Sequence, residues 1–162
     1  MTLQQKGVDM SPYFPLFVSL SNKKILVFGA GRIAARRVAA LLRYGAVVTV
    51  VAPQVRDEIR ELQKNSAGQL LVEQRAYCRS EIQEDHADYV LAVTDDWEVN
   101  RMICRECRHK EIPVNNASDS GQCDFYFPAL IEQDGLVIGV TSTDGDHRKV
   151  AEFCKGLRAQ GI

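Results

Sequence analysis

Three small residues, Gly29, Gly31 and Ala34, stand at GxGxxA spacing in KILVFGAGRIAARRVAALLRYGA, between an apolar β-rich run and an amphipathic stretch. That spacing suits a pyrophosphate. The first glycine permits a tight turn, the second lets the backbone approach the phosphates, and the alanine keeps the next helix close to its sheet. The free N–H groups and positive end of such a helix can then hold the anion. Gly29, Gly31, Arg32 and Ile33 are therefore candidate dinucleotide ligands. About twenty residues on, Ala52 and Pro53 in VVAPQ mark the strand end where an adenosine ribose is expected. No acidic side chain stands there for a ribose 2′-hydroxyl and no basic cluster for a 2′-phosphate. NAD is favoured as cofactor, Arg56 leaves NADP open, and a glycine turn that binds nothing is the bland alternative.

A second candidate is the Cys104–Cys107 pair with His109 close by, which could be a redox pair or part of a metal site. WEVNRMICRECRHK has helical periodicity, with Val99, Met102, Ile103 and Cys107 on or near one face, and no second ligand pair has suitable spacing. A plain helix is the preferred assignment and no metal site is expected. The five cysteines, Cys78, Cys104, Cys107, Cys123 and Cys154, are odd in number and scattered, which suits reduced thiols in a cytoplasmic protein. Lys plus Arg number 20 against 21 Asp plus Glu, so no net field gathers nucleic acid or an anionic membrane. Apolar runs fall far short of the ~20 residues that span a bilayer, and residues 1–10 lack an apolar signal core.

Positioning these residues requires an α/β chain, because apolar β-rich runs alternate with amphipathic stretches. Strands are expected at 24–28, 47–51, 69–73, 89–93, 112–115 and 136–141. Helices are expected at 32–44 with Gly45 as its left-handed cap, at 55–65, in a short piece from Ser80 favoured by Glu81 and Glu84, after Thr94 up to Pro113, and at 146–158. The first helix places Ile33, Ala34, Val38, Leu41 and Leu42 on one stripe. Between the last elements lies VNNASDSGQCDFYFPAL, polar and then aromatic, a loop at a strand end of the sort where α/β proteins keep their chemistry.

Read together, these segments resemble the N-terminal NAD-binding domain of the siroheme synthase and precorrin-2 dehydrogenase family. YFPLFVSLSNKKILVFGAGRIAARRVAALLRYGA is similar to the family's opening: a short Pro-containing strand, a Lys before the first strand, the glycine turn and a basic pair. LAVTDDWEVN looks like its TDD strand end, with Thr94, Asp95, Asp96 and Asn100 in place. VNNASDSGQCDFYFPAL resembles its catalytic loop and GLVIGVTSTDGD the strand and turn that follow. The resemblance covers residues 13–158.

It implies a Rossmann-like, mostly parallel sheet with flanking helices, organised as an extended or disordered 1–12, an NAD-binding domain over 13–143 and a short C-terminal helical and dimerising segment over 144–162. It also implies NAD-dependent oxidation of precorrin-2 to sirohydrochlorin by a homodimer, and some members also insert iron. Family members continue into a helical region that dimerises and covers the tetrapyrrole. Here the chain stops soon after Arg158, so a second subunit or a separate protein is expected to complete the pocket. Counting back from Pro128 places Ser118 at the usual catalytic aspartate, with Asp119 next to it. Asp119 is the preferred carboxylate, an Asx turn its structural alternative, and Asp124 is expected to be structural. Thr94 and Asp95 are expected beside the cofactor, and either is also a candidate N-cap. Arg32 is placed toward phosphates or substrate carboxylates, Arg36 and Arg37 on the solvated surface. His147 is expected to be exposed, with help to an entering metal as its functional alternative. A non-catalytic NAD-binding partner of a tetrapyrrole enzyme remains the alternative function.

Overall fold

Strands buried on both faces pair in parallel when helices cross between them. In the computed structural model, which describes residues 13–83 and 87–161, five such strands form one sheet. They are β1 (Lys24–Phe28), β2 (Val47–Val51), β3 (Leu70–Glu73), β4 (Tyr89–Ala92) and β5 (Val114–Asn116), in the order β3-β2-β1-β4-β5. All four pairings are parallel, with Phe28 opposite Val51 on one side and Ala92 on the other. The order reverses direction between β1 and β4, the switch point at which α/β sheets open a crevice beyond the carboxyl ends of their strands. The fold is Rossmann-like.

Helices α1 (Arg32–Arg43), α2 (Asp57–Asn65) and α3 (Trp97–His109) supply crossovers. Helix α1 buries Ala34, Ala35, Val38 and Leu41. It ends as Gly45 demands: Gly45 takes φ 78°, its N–H donates to Leu42 O at 3.0 Å, and the Ala46 N–H donates to Leu41 O at 3.2 Å. This is a Schellman motif, closed by the buried pair Ala46 and Leu41. Ile33 departs from the expected stripe and is 47% exposed, since it sits one residue, about 100°, off the Ala34–Val38–Leu41 line. Helix α3 buries Ile103, Cys104 and Cys107 against Phe28, Val90 and Val114. The CxxC pair is thus core, where each buried aliphatic neighbour contributes about 1.5–3 kcal/mol.

Two compact units are seen, one of residues 19–126 and one of 127–161 with 13–18. The second carries β6 (Ala129–Gln133) and β7 (Leu136–Val140), paired antiparallel as a separate two-stranded sheet, and α4 (His147–Ala159). Here the structure corrects the expectation for 136–141, whose partner is a strand the sequence reading lacked rather than another parallel strand. The connection explains it: Asp134 (φ 50°) and Gly135 (φ 79°) both take positive φ, the two-residue turn that matches hairpin twist. The short helix from Ser80 is absent over the described residues 80–83. Ser80 has φ 64°, and Glu81 is used locally, accepting from the Cys78 N–H at 2.7 Å and pairing with Arg75 at 2.5 Å. Glu84 and residues 1–12 lie outside the described residues. Phe125–Phe127 and residues 13–18 contain no strand. Among the described residues, no helix is long and apolar enough to cross a membrane.

Candidate functional site

The carboxyl ends of β1, β4 and β5 bring three loops together. After β1, Gly29 has φ 110°, and a Cβ built there would lie 2.5 Å from Val93 O, 2.7 Å from Val93 C and 2.9 Å from Thr94 N. Only glycine lets the first turn rest on the end of β4. Gly31 is the opposite case. It is the N-cap of α1 in extended backbone (φ −79°, ψ −172°), and a Cβ there meets nothing within 4 Å. No side chain caps α1 and no acidic residue stands in its first turn. The exposed Arg32 and Ile33 begin that turn. Four orphan N–H groups and the positive helix end therefore face an open seat. This arrangement fits a dinucleotide pyrophosphate, which needs backbone approach and no competing carboxylate. At the end of β2, Ala52 is buried and Pro53 exposed, and the Arg56 N–H reaches back to Ala30 O at 3.4 Å. The Arg56 guanidinium is bidentate on Glu58, at 3.1 Å from Nε and 2.9 Å from Nη2.

At the end of β4, the cap of α3 is Asp96 rather than Thr94 or Asp95: its Oδ1 accepts from the N–H groups of Glu98 at 2.8 Å and Val99 at 3.2 Å. Position explains the correction, because only Asp96 immediately precedes the first helical residue. Thr94 is bound to Asn100 instead. Asn100 is fully buried. Its Oδ1 accepts from Thr94 N at 3.1 Å and Thr94 Oγ1 at 2.7 Å, while its Nδ2 donates to Thr94 O and to Ser118 Oγ, both at 3.1 Å. Asp95 is exposed beside them.

After β5, Ser118 donates from its backbone N–H at 2.9 Å and its hydroxyl at 2.7 Å to Asn116 Oδ1. Its hydroxyl is committed. Asp119 is exposed and precedes the 3₁₀ turn Ser120–Gln122, accepting from the Gly121 N–H at 3.0 Å and the Gln122 side-chain amide at 2.8 Å. Asp124, as expected, is structural: its carboxylate accepts from the Val114 N–H at 2.9 Å, closing the edge of β5. Buried Asn116 has its Nδ2 without a hydrogen-bond partner among the described residues. Burial pushes the neighbouring Cys104 thiol up to about 11, with the Arg108 charge and the Asn116 amide pulling it back.

Arg36 is exposed as expected, but Arg37 is not a solvated surface residue. Its Nη1 donates to Asn115 Oδ1 at 2.6 Å, and burial draws the guanidinium below its ordinary value. The missed signal is its place on the row Ala34–Arg37–Leu41, at i, i+3 and i+7 of the buried face. Asn100 was likewise readable, being the polar member of the buried row Asn100–Ile103–Cys104–Cys107. Exposed His147 opens α4, and among the described residues no group of three or more metal-ligating side chains is found.

Residues 16–129 match the model of a family described as "Putative NAD(P)-binding". The chain is 38% identical over 149 residues to the "Probable multifunctional siroheme biosynthesis protein HemA" of Ruminiclostridium josui, covering 91% of this chain and 28% of that one. It is 36% identical over 130 residues to the siroheme synthase of Pseudomonas fluorescens (strain SBW25), covering 80% of this chain and 27% of that one. It thus spans about a quarter of the length of these curated relatives. The solved structure of SirC, a precorrin-2 dehydrogenase, superposes with a TM-score of 0.74 at 25% identity, covering 91% of this chain and 71% of that one.

Proposed function

Because the chain belongs to the NAD(P)-binding family that forms the N-terminal domain of siroheme synthases, we propose that it is a precorrin-2 dehydrogenase, oxidising precorrin-2 to sirohydrochlorin with NAD along the bare start of α1. The observation that carries this is the uncapped helix start behind a Gly31 whose Cα faces open space. NAD bound there supplies a hydride acceptor. The chain's own residues hold and orient: Gly29, Gly31 and the N–H groups of Arg32 and Ile33 clasp the pyrophosphate. Ala52 and Pro53 close the adenosine side, and Thr94 and Asp95 border the nicotinamide half. Arg56 spends its Nε–Nη2 side on Glu58, and that carboxylate beside it disfavours a 2′-phosphate, which supports NAD over NADP. Asp119 presents an exposed carboxylate, oriented by Gly121 and Gln122, and takes the proton that leaves the tetrapyrrole as the hydride departs. Ser118 acts by position, its hydroxyl proton being given to Asn116.

The unit of 127–161 with 13–18 supports a homodimer: Ile131 and Cys154 are its buried apolar residues, while Phe14, Leu16, Phe17, Leu136, Val137 and Phe153 are exposed. A second copy is the proposed cover. All five cysteines are free thiols, which suits the cytoplasm.

One observation favours a second reading, a non-catalytic NAD-binding module: both carboxylate oxygens of Asp119 are already engaged inside the loop. Turnover separates the two. With precorrin-2 generated in the same tube, the wild type produces NADH absorbance and Asp119→Ala is slower by about 100-fold or more. The same preparation sediments as a dimer. A wild type that binds NAD yet stays silent leaves only the module, and a monomer sinks the proposed cover.

A further inference from the structure

We propose that Asn100 is a positioning residue that fixes the Asp119 loop relative to the dinucleotide turn, a proposal that rests on the function inferred above. Three strand ends meet through one buried amide. The Gly29 turn lies against the backbone of Val93 and Thr94 so closely that no Cβ fits. Thr94 is held by Asn100 at its N–H, its hydroxyl and its carbonyl. The remaining Asn100 donor crosses eighteen residues of sequence to Ser118 Oγ, and Ser118 is in turn doubly bonded to Asn116 at the end of β5. Asn100 thus uses both amide hydrogens and accepts two bonds at its oxygen, the full set that a buried carboxamide needs.

Residue chemistry makes the assignment specific. A residue serving only the β4–α3 corner requires bonds to Thr94 and nothing else, because Asp96 already caps the helix. The bond to Ser118 adds nothing to that corner. It connects the corner to the residue immediately before Asp119, whose own carboxylate is oriented, among the described residues, by Gly121 and Gln122 of the same loop. Without it, the loop keeps its internal turn and the backbone bond from the Ala117 N–H to Ala92 O at 2.9 Å but loses its side-chain tether to the corner after β4. An aspartate at position 100 preserves both acceptor bonds to Thr94 and abolishes both donor bonds, to Thr94 O and to Ser118 Oγ. Its cost is a buried charge. Ser118→Ala removes the Asn100–Ser118 bond from the exposed end, together with the hydroxyl's bond to Asn116, and leaves all three Thr94 bonds of Asn100 in place.

The test compares Asn100→Asp, Ser118→Ala and the double variant in three measurements: NAD affinity by calorimetry, kcat and KM with precorrin-2, and amide hydrogen exchange in the protein alone. Either single change is expected to leave NAD affinity within about threefold and to lower kcat about tenfold, a loss appropriate to a displaced reacting group. Exchange at the Ser118 and Gly121 amides speeds up about tenfold while the β4 amides of Val90 and Leu91 are unaffected. The double variant is slower than the worse single one by much less than the product of the two losses, because the Asn100–Ser118 bond is shared while the bonds to Thr94 O and Asn116 are each lost in one variant only. Ser118→Ala with wild-type kcat and exchange, or losses that multiply in the double variant, would overturn the proposal. A wild type silent toward precorrin-2 ends the dehydrogenase reading; in that event the exchange results alone decide the tether.

Discussion

At the edge of the parallel sheet where its strands begin, polar groups close on one another, whereas at the edge where they end several are left open. On the first edge, Asp88 just before β4 binds Lys23 Nζ at 2.7 Å and the Lys24 N–H at 2.8 Å, and its own N–H donates to Lys24 O at 2.8 Å. The Schellman turn at Gly45 seals the approach to β2 beside it. On the second edge, α1 starts without a capping side chain, Gly31 faces open space and Asn116 Nδ2 is buried without a partner among the described residues. Yet α3 starts on that same edge with a full Asp96 cap. α2 starts there without a capping side chain too, but with Asp57 and Glu58 in its first turn, so of these three helices α1 alone begins with neither a cap nor a carboxylate. Folding satisfies its polar groups where nothing is to be bound and leaves them available where an anion is to be held.

The largest expected effect comes from the residue that joins turn and sheet. Gly29→Ala introduces a Cβ 2.5 Å from Val93 O at φ 110°, a position where neither the backbone conformation nor a flexible neighbour can give. A loss of about 3–5 kcal/mol follows from strain plus clash. Thermal unfolding then shows a Tm lower by more than about 10 °C, with NAD binding lost alongside. A variant with wild-type Tm would mean that the turn does not press on β4 as described.

Gly31→Ser sharpens the comparison because its two effects have opposite sign. Serine is a good N-cap and the extended backbone at Gly31 accepts it without strain. Stability stays level or rises by a few tenths of a kcal/mol, as the helix gains the cap it lacks. The same side chain fills the seat that the pyrophosphate needs, so NAD affinity falls about ten- to hundredfold, or about 1.4–2.7 kcal/mol. Melting with and without NAD reads both. A Gly31→Ser protein that melts lower and binds as before would make the open seat a packing accident.

How far these features were legible in the sequence differs by element. β1 and β2 were readable to the residue because they are continuous apolar runs ending at Gly29 and Ala52, and α1 was readable because its stripe stops at Gly45. β6 was not, although Asp134–Gly135 is a strong hairpin signal, because ALIEQ is only half-buried and carries little alternation. The helix expected from Ser80 failed for a tertiary reason: Glu106 of α3 takes the Ser80 and Ile82 N–H groups at 3.0 and 2.7 Å and fixes a non-helical path. The same division holds in the site. Gly29 and Gly31 announce themselves by local backbone need. Asn100 and Arg37 act through partners 18 and 78 residues away, Ser118 and Asn115, and only their intrusion on an apolar helix row could have marked them.

The smallest expected effect lies on the closed edge, where Asp88→Asn should alter stability and leave NAD binding alone. The Lys23 ammonium and the Lys24 N–H hold the Asp88 carboxyl below its ordinary value. A carboxyl whose folded value is depressed stabilises the protein above its unfolded value, near 3.9, and that contribution disappears as pH falls through the lower folded value. The Tm gap between wild type and Asp88→Asn is accordingly full at neutral pH and closes below about pH 4. The pair is partly exposed, with side-chain exposures of 46% for Lys23 and 33% for Asp88, so solvent and salt screen it and the gap is no more than about 2 °C. NAD affinity should be the same in both proteins at every pH above that range, because Asp88 lies at the start of β4 and the proposed site at its end. A change in affinity without a change in Tm would mean that the two edges of the sheet are not separated in function.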